Sequence, residues 1–196
     1  MKHTHIKRDF YRDLILVHAT RNSRSFVPQD TPWTRLAARV IRVALARKDL
    51  SYAQLTSALA ASGSRETERS FVSKIYRGTP RLALLLQIID ISSARPPELW
   101  SDAMKVEGSW EERAAAVLSC ELSRQPWVTP DELVRRLQML GADISEKSLK
   151  THLTEGTASL ALTLQCLAAL GSGSLERYID VDDLAEAARL AVSSQK

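Results

Sequence analysis

The sequence predicts an all-α protein, and three observations carry that expectation. Leucine and alanine dominate over the β-branched valine and isoleucine, a balance that favours helices over strands. Apolar residues recur at spacings of three and four between start and stop signals of the kind that delimit helices. A four-to-five-helix block also occurs twice in tandem, with its helix signals at matching places.

Along the chain, Phe10, Leu14, Val17 and His18 are spaced i, i+4, i+7 and i+8 and predict a helix over about 6–19 that carries Lys7, Arg8 and Arg12. Together with the Ser-, Asn- and Pro-containing stretch that follows, 1–30 forms a basic N-terminal helical extension and linker. Thr31-Pro32-Trp33 starts the next helix, with threonine as cap and proline at the first helical position. Leu36, Val40, Val43 and Leu45 supply its apolar stripe and Arg35, Arg39 and Arg42 line another side. Ser51 caps a helix with Leu55 and Leu59 on its buried face, which stops before Gly63. A third helix is expected over 66–77, ended by Gly78 as a left-handed residue. Thr79-Pro80 is expected to open a leucine-rich fourth helix, and 98–106 a short one whose Trp100 packs back onto the bundle.

The block then repeats. Trp33 matches Trp110 at an offset of 77, and from Leu50 onward the offset is 78. Ser51 then matches Thr129, Leu55 Leu133, Leu59 Leu137, Gly63 Gly141, Ser70 Ser148, Gly78 Gly156 and Leu86-Gln87 Leu164-Gln165. Ser109 with Glu112 and Thr129 with Glu132 are each spaced as a capping box. After Gly171-Ser-Gly-Ser174, two short helices are expected over 175–179 and 182–192. The division is therefore an extension, 1–30, a first module, 31–106, and a second, 107–196.

Composition excludes several classes. No apolar run reaches the roughly 18 residues a membrane span needs, and Asp9, Asp13 and His18 break up the basic start, so it does not make a signal peptide. Cys120 and Cys166 lie in apolar helical stretches and are expected as buried reduced thiols. The four histidines lack ligand partners at metal-binding spacing, and no phosphate-cradling loop or nucleophile motif occurs. No enzyme activity, metal or cofactor is expected, and the tryptophans Trp33, Trp100, Trp110 and Trp127 are expected as core anchors. The predicted location is the cytoplasm, in association with the nucleoid.

Charge divides the chain. Residues 1–105 hold 18 Lys+Arg against 9 Asp+Glu, and 106–196 hold 9 against 14, so +9 and −5 make up the net +4. A basic half joined to an acidic half points to polyanion binding in the first. On a helix over 66–77, Phe71 and Ile75 share one face. Thr67, Ser70, Ser73, Lys74 and Arg77 lie on the other, with Arg65 and Arg69 near its start. Short polar side chains that permit close approach, flanked by cations, are what a helix entering the major groove requires. At Ser51 to Gln54 the preceding helix would offer backbone N–H groups to a phosphate.

Leu-Ser-Tyr-Ala-Gln-Leu at 50–55, then Val-Ser-Lys-Ile-Tyr-Arg-Gly at 72–78, then Thr-Pro before a leucine-rich helix, resembles the helix-turn-helix of phage-repressor-like (Cro/C1-type) DNA-binding domains. The Glu-Thr-Glu-Arg segment at 66–69 and the Lys-Ile-Tyr-Arg-Gly segment look closer still to an uncharacterised bacterial domain of unknown function with a helix-turn-helix look. Gly63 to Arg65 make the turn longer than the repressor turn. The resemblance implies a double-stranded DNA partner, DNA-facing positions at Arg65, Thr67, Arg69, Ser70, Ser73 and Lys74, Arg77 on the backbone, and a role in transcription regulation. In the second module Lys74 becomes His152 and Arg77 becomes Glu155. That module is expected to have kept the fold, lost strong DNA binding, and to serve for homodimerisation or contact with a protein partner. Two alternatives remain: both modules lie along one groove, with Lys147, Lys150, Arg135 and Arg136 touching the backbone, or the protein is an interaction adaptor working through its acidic second module.

Overall fold

The computed structural model of the protein describes residues 30–193, and the predicted helix over 6–19 lies outside them. Nine α-helices form among the described residues. The first repeat supplies α1 (Pro32–Ala46), α2 (Tyr52–Ala61), α3 (Glu68–Tyr76) and α4 (Leu82–Ile91). Two 3-10 turns follow, Glu98–Trp100 and Ala103–Lys105. The second repeat supplies α5 (Trp110–Ser123), α6 (Pro130–Met139), α7 (Glu146–Glu155) and α8 (Leu160–Ala169), and α9 (Val181–Ser193) ends the described chain. The protein is all-α, and none of these helices is long and apolar enough to cross a membrane.

Local chemistry explains most of the boundaries. Thr31, Ser51 and Ser109 each close a capping box, their hydroxyls accepting from the N–H groups of Thr34, Gln54 and Glu112 at 3.1, 3.2 and 3.1 Å. Thr129 forms only half of one. It accepts from the Glu132 N–H at 3.3 Å, but the Glu132 carboxylate turns to Arg135 and Arg136. Five expectations are corrected. The third helix begins at Glu68, because the Thr67 hydroxyl accepts from the Ser70 N–H and caps it there. The fourth begins after Arg81 and not at Thr79-Pro80. The stretch 98–106 winds into two 3-10 turns, and 175–179 into turns without a helix. Trp127, expected as a core anchor, is 70% exposed.

The two repeats are not stacked head to tail. The Leu82 N–H donates to the Ala158 carbonyl at 3.1 Å, and the Leu160 N–H donates to the Pro80 carbonyl at 2.7 Å. Positions 80 and 82 are the counterparts of 158 and 160, so each repeat gives the other the same bond. They flank an antiparallel bridge that joins Arg81 to its own counterpart, Ser159. Such reciprocity is the signature of an isologous, two-fold contact. Helix packing obeys it as well: α4 lies on α5 and α1 on α8, while α4 and α8 touch each other. The tails are exchanged too. Both 3-10 turns cover α5, and α9 covers α1. Trp100 and Tyr178, equivalent by the offset of 78, are both buried.

A single apolar core results, running through both repeats from Trp33, Leu55 and Phe71 to Leu118, Leu164 and Ala191. A smaller cluster of Leu133, Leu137, Leu149, Cys166 and Leu170 lies under α6 and α7. The Trp33 indole N–H donates to the Leu140 carbonyl at 2.8 Å and so ties α1 to the second repeat. Trp100 donates to the carboxylate of Glu121 at 2.5 Å, with the glutamate 2% exposed. The matched glycines have a shared reason. A Cβ on Gly78 would sit 2.2 Å from the Thr34 carbonyl oxygen, and one on Gly156 would sit 1.7 Å from that of Glu111. Both residues have positive φ, +64° and +63°, so glycine satisfies the backbone and the close crossing of the third helix over the first at once.

Candidate nucleic-acid interface

The surface singled out by the sequence is built on α2 and α3. Phe71 and Ile75, each 1% exposed, seat α3 against Leu55 and Leu59, and the ring of Tyr52 meets Phe71 edge-on at 6.5 Å. With that face fixed, the helical period turns Arg69, Ser73, Tyr76 and Arg77 outward, with Ser70 at the flank. Arg69, Ser70 and Arg77 are exposed and Ser73 is half-buried. Arg65 is exposed in the turn 62–67 and, like Arg69, has no ion-pair partner among the described residues. Arg77 stays at the helix end, its Nε–H donating to the Ser73 carbonyl at 3.2 Å. Tyr76, 43% exposed, shares this outward face. No signal in the sequence marks it, since an aromatic at a helix end has the character of a core residue.

Other predicted residues are engaged elsewhere. Thr67 is tied up as the cap of α3. Ser51 and Gln54 bond to each other, the Ser51 N–H and hydroxyl both donating to the Gln54 side-chain oxygen at 2.9 Å. The box thereby takes up two of the donors at the start of α2 that a phosphate would use. Lys74 is half-buried and ion-paired with Glu66. The pair lines a cleft of about 500 Å³ with Ser64, Thr79, Arg81 and Glu111, and Arg81 and Glu111 approach to 4.0 Å across it. Two cations facing two carboxylates leave the cleft near neutral, so the uncompensated positive charge of this surface rests on the arginines.

The equivalent surface on α7 is a contrast within one molecule. Leu149 is buried as Phe71 is, but the counterparts of Arg65, Arg69, Lys74 and Arg77 are Asp143, Lys147, His152 and Glu155. Four cations become one cation, two carboxylates and a histidine whose Nδ1 contacts the Thr157 hydroxyl at 2.9 Å. The hydroxyls of Thr151 and Thr154 donate to carbonyls of their own helix, those of Lys147 and Lys150, at 3.0 and 2.9 Å. Arg135 and Arg136 share Glu132 at 2.6 and 2.7 Å; hydrogen bonds from both guanidinium groups hold the Glu132 carboxyl below its usual range. On α1, Arg35 pairs with Asp30 at 3.2 Å and Arg39 with Asp183, on α9, at 2.7 Å, so two of the three arginines expected along its side are engaged, and Arg42 is exposed. Among the described residues no group of three His, Cys, Asp or Glu side chains is placed to hold a metal ion.

Fold and repeat together define the class, an all-α protein built from two copies of one helical module. Residues 33–95 and 110–175 each match the family described as Domain of unknown function (DUF6471), and the two matches span more than half of the chain. The protein belongs to that family and carries its domain in two successive segments. No curated protein and no solved structure matches the chain.

Proposed function

We propose that the protein binds double-stranded DNA through α2 and α3 of its first repeat and acts, without catalysis, as a sequence-specific regulator of transcription. The observation that carries this reading is the comparison of α3 with α7. Both helices keep the apolar positions, Phe71 and Ile75 in one and Leu149 and Leu153 in the other, and the crossing glycine, so the fold does not depend on Arg65, Arg69, Lys74 and Arg77. Of these, Arg65, Arg69 and Arg77 are exposed, with Ser70 and Ser73 between them, a grouping that matches the chemistry of phosphates and groove edges. The test is a binding curve against salt with a mixed-sequence duplex. Three phosphate contacts, from Arg65, Arg69 and Arg77, give a slope of about −2.7 and an affinity loss of about 1.6 decades between 50 and 200 mM salt. A flat curve, or no retention of any duplex at 50 mM salt, overturns the proposal.

A protein-interaction adaptor is the second reading, and one observation favours it. Trp127 and Met139, in the second repeat, are 70% and 63% exposed, and exposed large apolar side chains are what a partner protein covers. Purification separates the two readings: nucleic acid that salt removes favours the first, a stoichiometric partner protein the second.

A further inference from the structure

The two-fold relation between the repeats bears on which DNA this surface can take. A two-fold protein reads an inverted repeat because its halves present the same chemistry to two half-sites about one helical turn apart. Here the two-fold is internal to one chain. The reciprocal bonds of Leu82 with Ala158 and Leu160 with Pro80 lie on it, and the α1–α8 and α4–α5 contacts around it bury apolar faces of the two repeats against each other within the chain. The second half is also the wrong chemistry for a second half-site. Where the first presents Arg65, Arg69 and Arg77, the second presents Asp143, Lys147 and Glu155, and a carboxylate facing a phosphate repels it.

We infer that the chain is a fused two-fold dimer with one reading half, so that its target is a single asymmetric half-site bound by one chain, and not an inverted repeat bound by two. The inference rests on the DNA-binding reading above. It gives the second repeat a definite job: it supplies the structural complement that completes the core of the first, in place of a partner subunit.

The experiment uses the full chain and a pool of duplexes with a random central segment, enriched through successive rounds at 50 mM salt and sequenced, followed by mass measurement by light scattering. The expected motif is one uninterrupted block without an inverted copy about 10 bp away. The expected masses are 21.8 kDa for the protein alone and one chain per duplex in the complex. An inverted repeat, two chains per duplex, or a free dimer overturns the inference while leaving DNA binding standing. A retained pool in which no motif is enriched also overturns it, since a half-site must have a sequence. If no duplex is retained at all, the DNA-binding reading fails and the inference fails with it.

Discussion

Replacing Arg69 and Arg77 by glutamine removes two charges from the outward face of α3 while keeping polar side chains of similar stem. Both residues are exposed and neither is in the core, so the fold should lose no more than about 0.5 kcal/mol. Each lost phosphate contact lowers the salt slope by about 0.9 and, at 150 mM salt, costs about fivefold in affinity. The double substitution is therefore expected to weaken binding about 30-fold and to cut the slope from about −2.7 to about −0.9. Fluorescence anisotropy with a labelled duplex at four salt concentrations measures both quantities, and urea unfolding checks the fold. Lys147→Gln, at the counterpart of Arg69, is the internal control and should change neither. A double variant with an unaltered slope, or a Lys147→Gln loss as large as that of Arg69→Gln, would refute the assignment of the interface to the first repeat.

Other expectations follow from the packing. Glu66→Gln releases Lys74 from its ion pair and should tighten DNA binding a few-fold, the opposite of every cation removal; weaker binding would contradict the pairing. Trp100→Phe strands the buried Glu121 carboxylate and should cost about 3 kcal/mol in urea unfolding, whereas Trp100→Phe with Glu121→Leu should recover most of it; equal losses would show the bond to be unimportant. Gly78→Ala places a Cβ 2.2 Å from the Thr34 carbonyl oxygen at positive φ and should cost about 2–4 kcal/mol, so a change under 0.5 kcal/mol would disprove the tight crossing. Burial pushes the Cys166 thiol up to about 12 from about 9. The folded protein thus holds a proton that the unfolded chain gives up, and stability should fall by up to about 1.4 kcal/mol per pH unit as pH rises from about 9 to 12. Cys166→Ala should flatten that decline, leaving a smaller one from Tyr178, whose phenol burial also raises; an unchanged decline would contradict the assignment to Cys166.

Much of the architecture is legible in the sequence because the signals are local. Thr31-Pro32, Ser51 with Gln54 and Ser109 with Glu112 fix helix starts within four residues of chain, and the spacing of Phe71 and Ile75 fixes which side of α3 is buried. The candidate site was legible to the same depth. Arg69 stands exposed as its helical position requires, with Arg65 exposed in the preceding turn and Arg77 at the helix end, whereas the engagement of Thr67 as a cap lies in an ambiguity of one or two residues at the helix start. The Lys74–Glu66 pair spans eight residues and depends on the path of the turn, which no periodicity specifies. Trp127 misled because composition cannot say whether a large ring at a helix junction meets another element or solvent.

The sequence by itself determined helical content, the repeat, the caps, the buried stripes and the division of charge between the halves, all properties of residue type and spacing along the chain. Only the tertiary structure decided how the repeats meet. The backbone bonds between Leu82 and Ala158 and between Leu160 and Pro80 and the reach of Arg39 to Asp183 join residues 76 to 144 positions apart, and the exchange of tails buries Trp100 against α5 and Tyr178 in the shared core. A tandem duplication is compatible with a linear stack or a two-fold pair. The choice between them is made by which apolar faces cover each other and which backbone donors find acceptors, and those are facts of three dimensions.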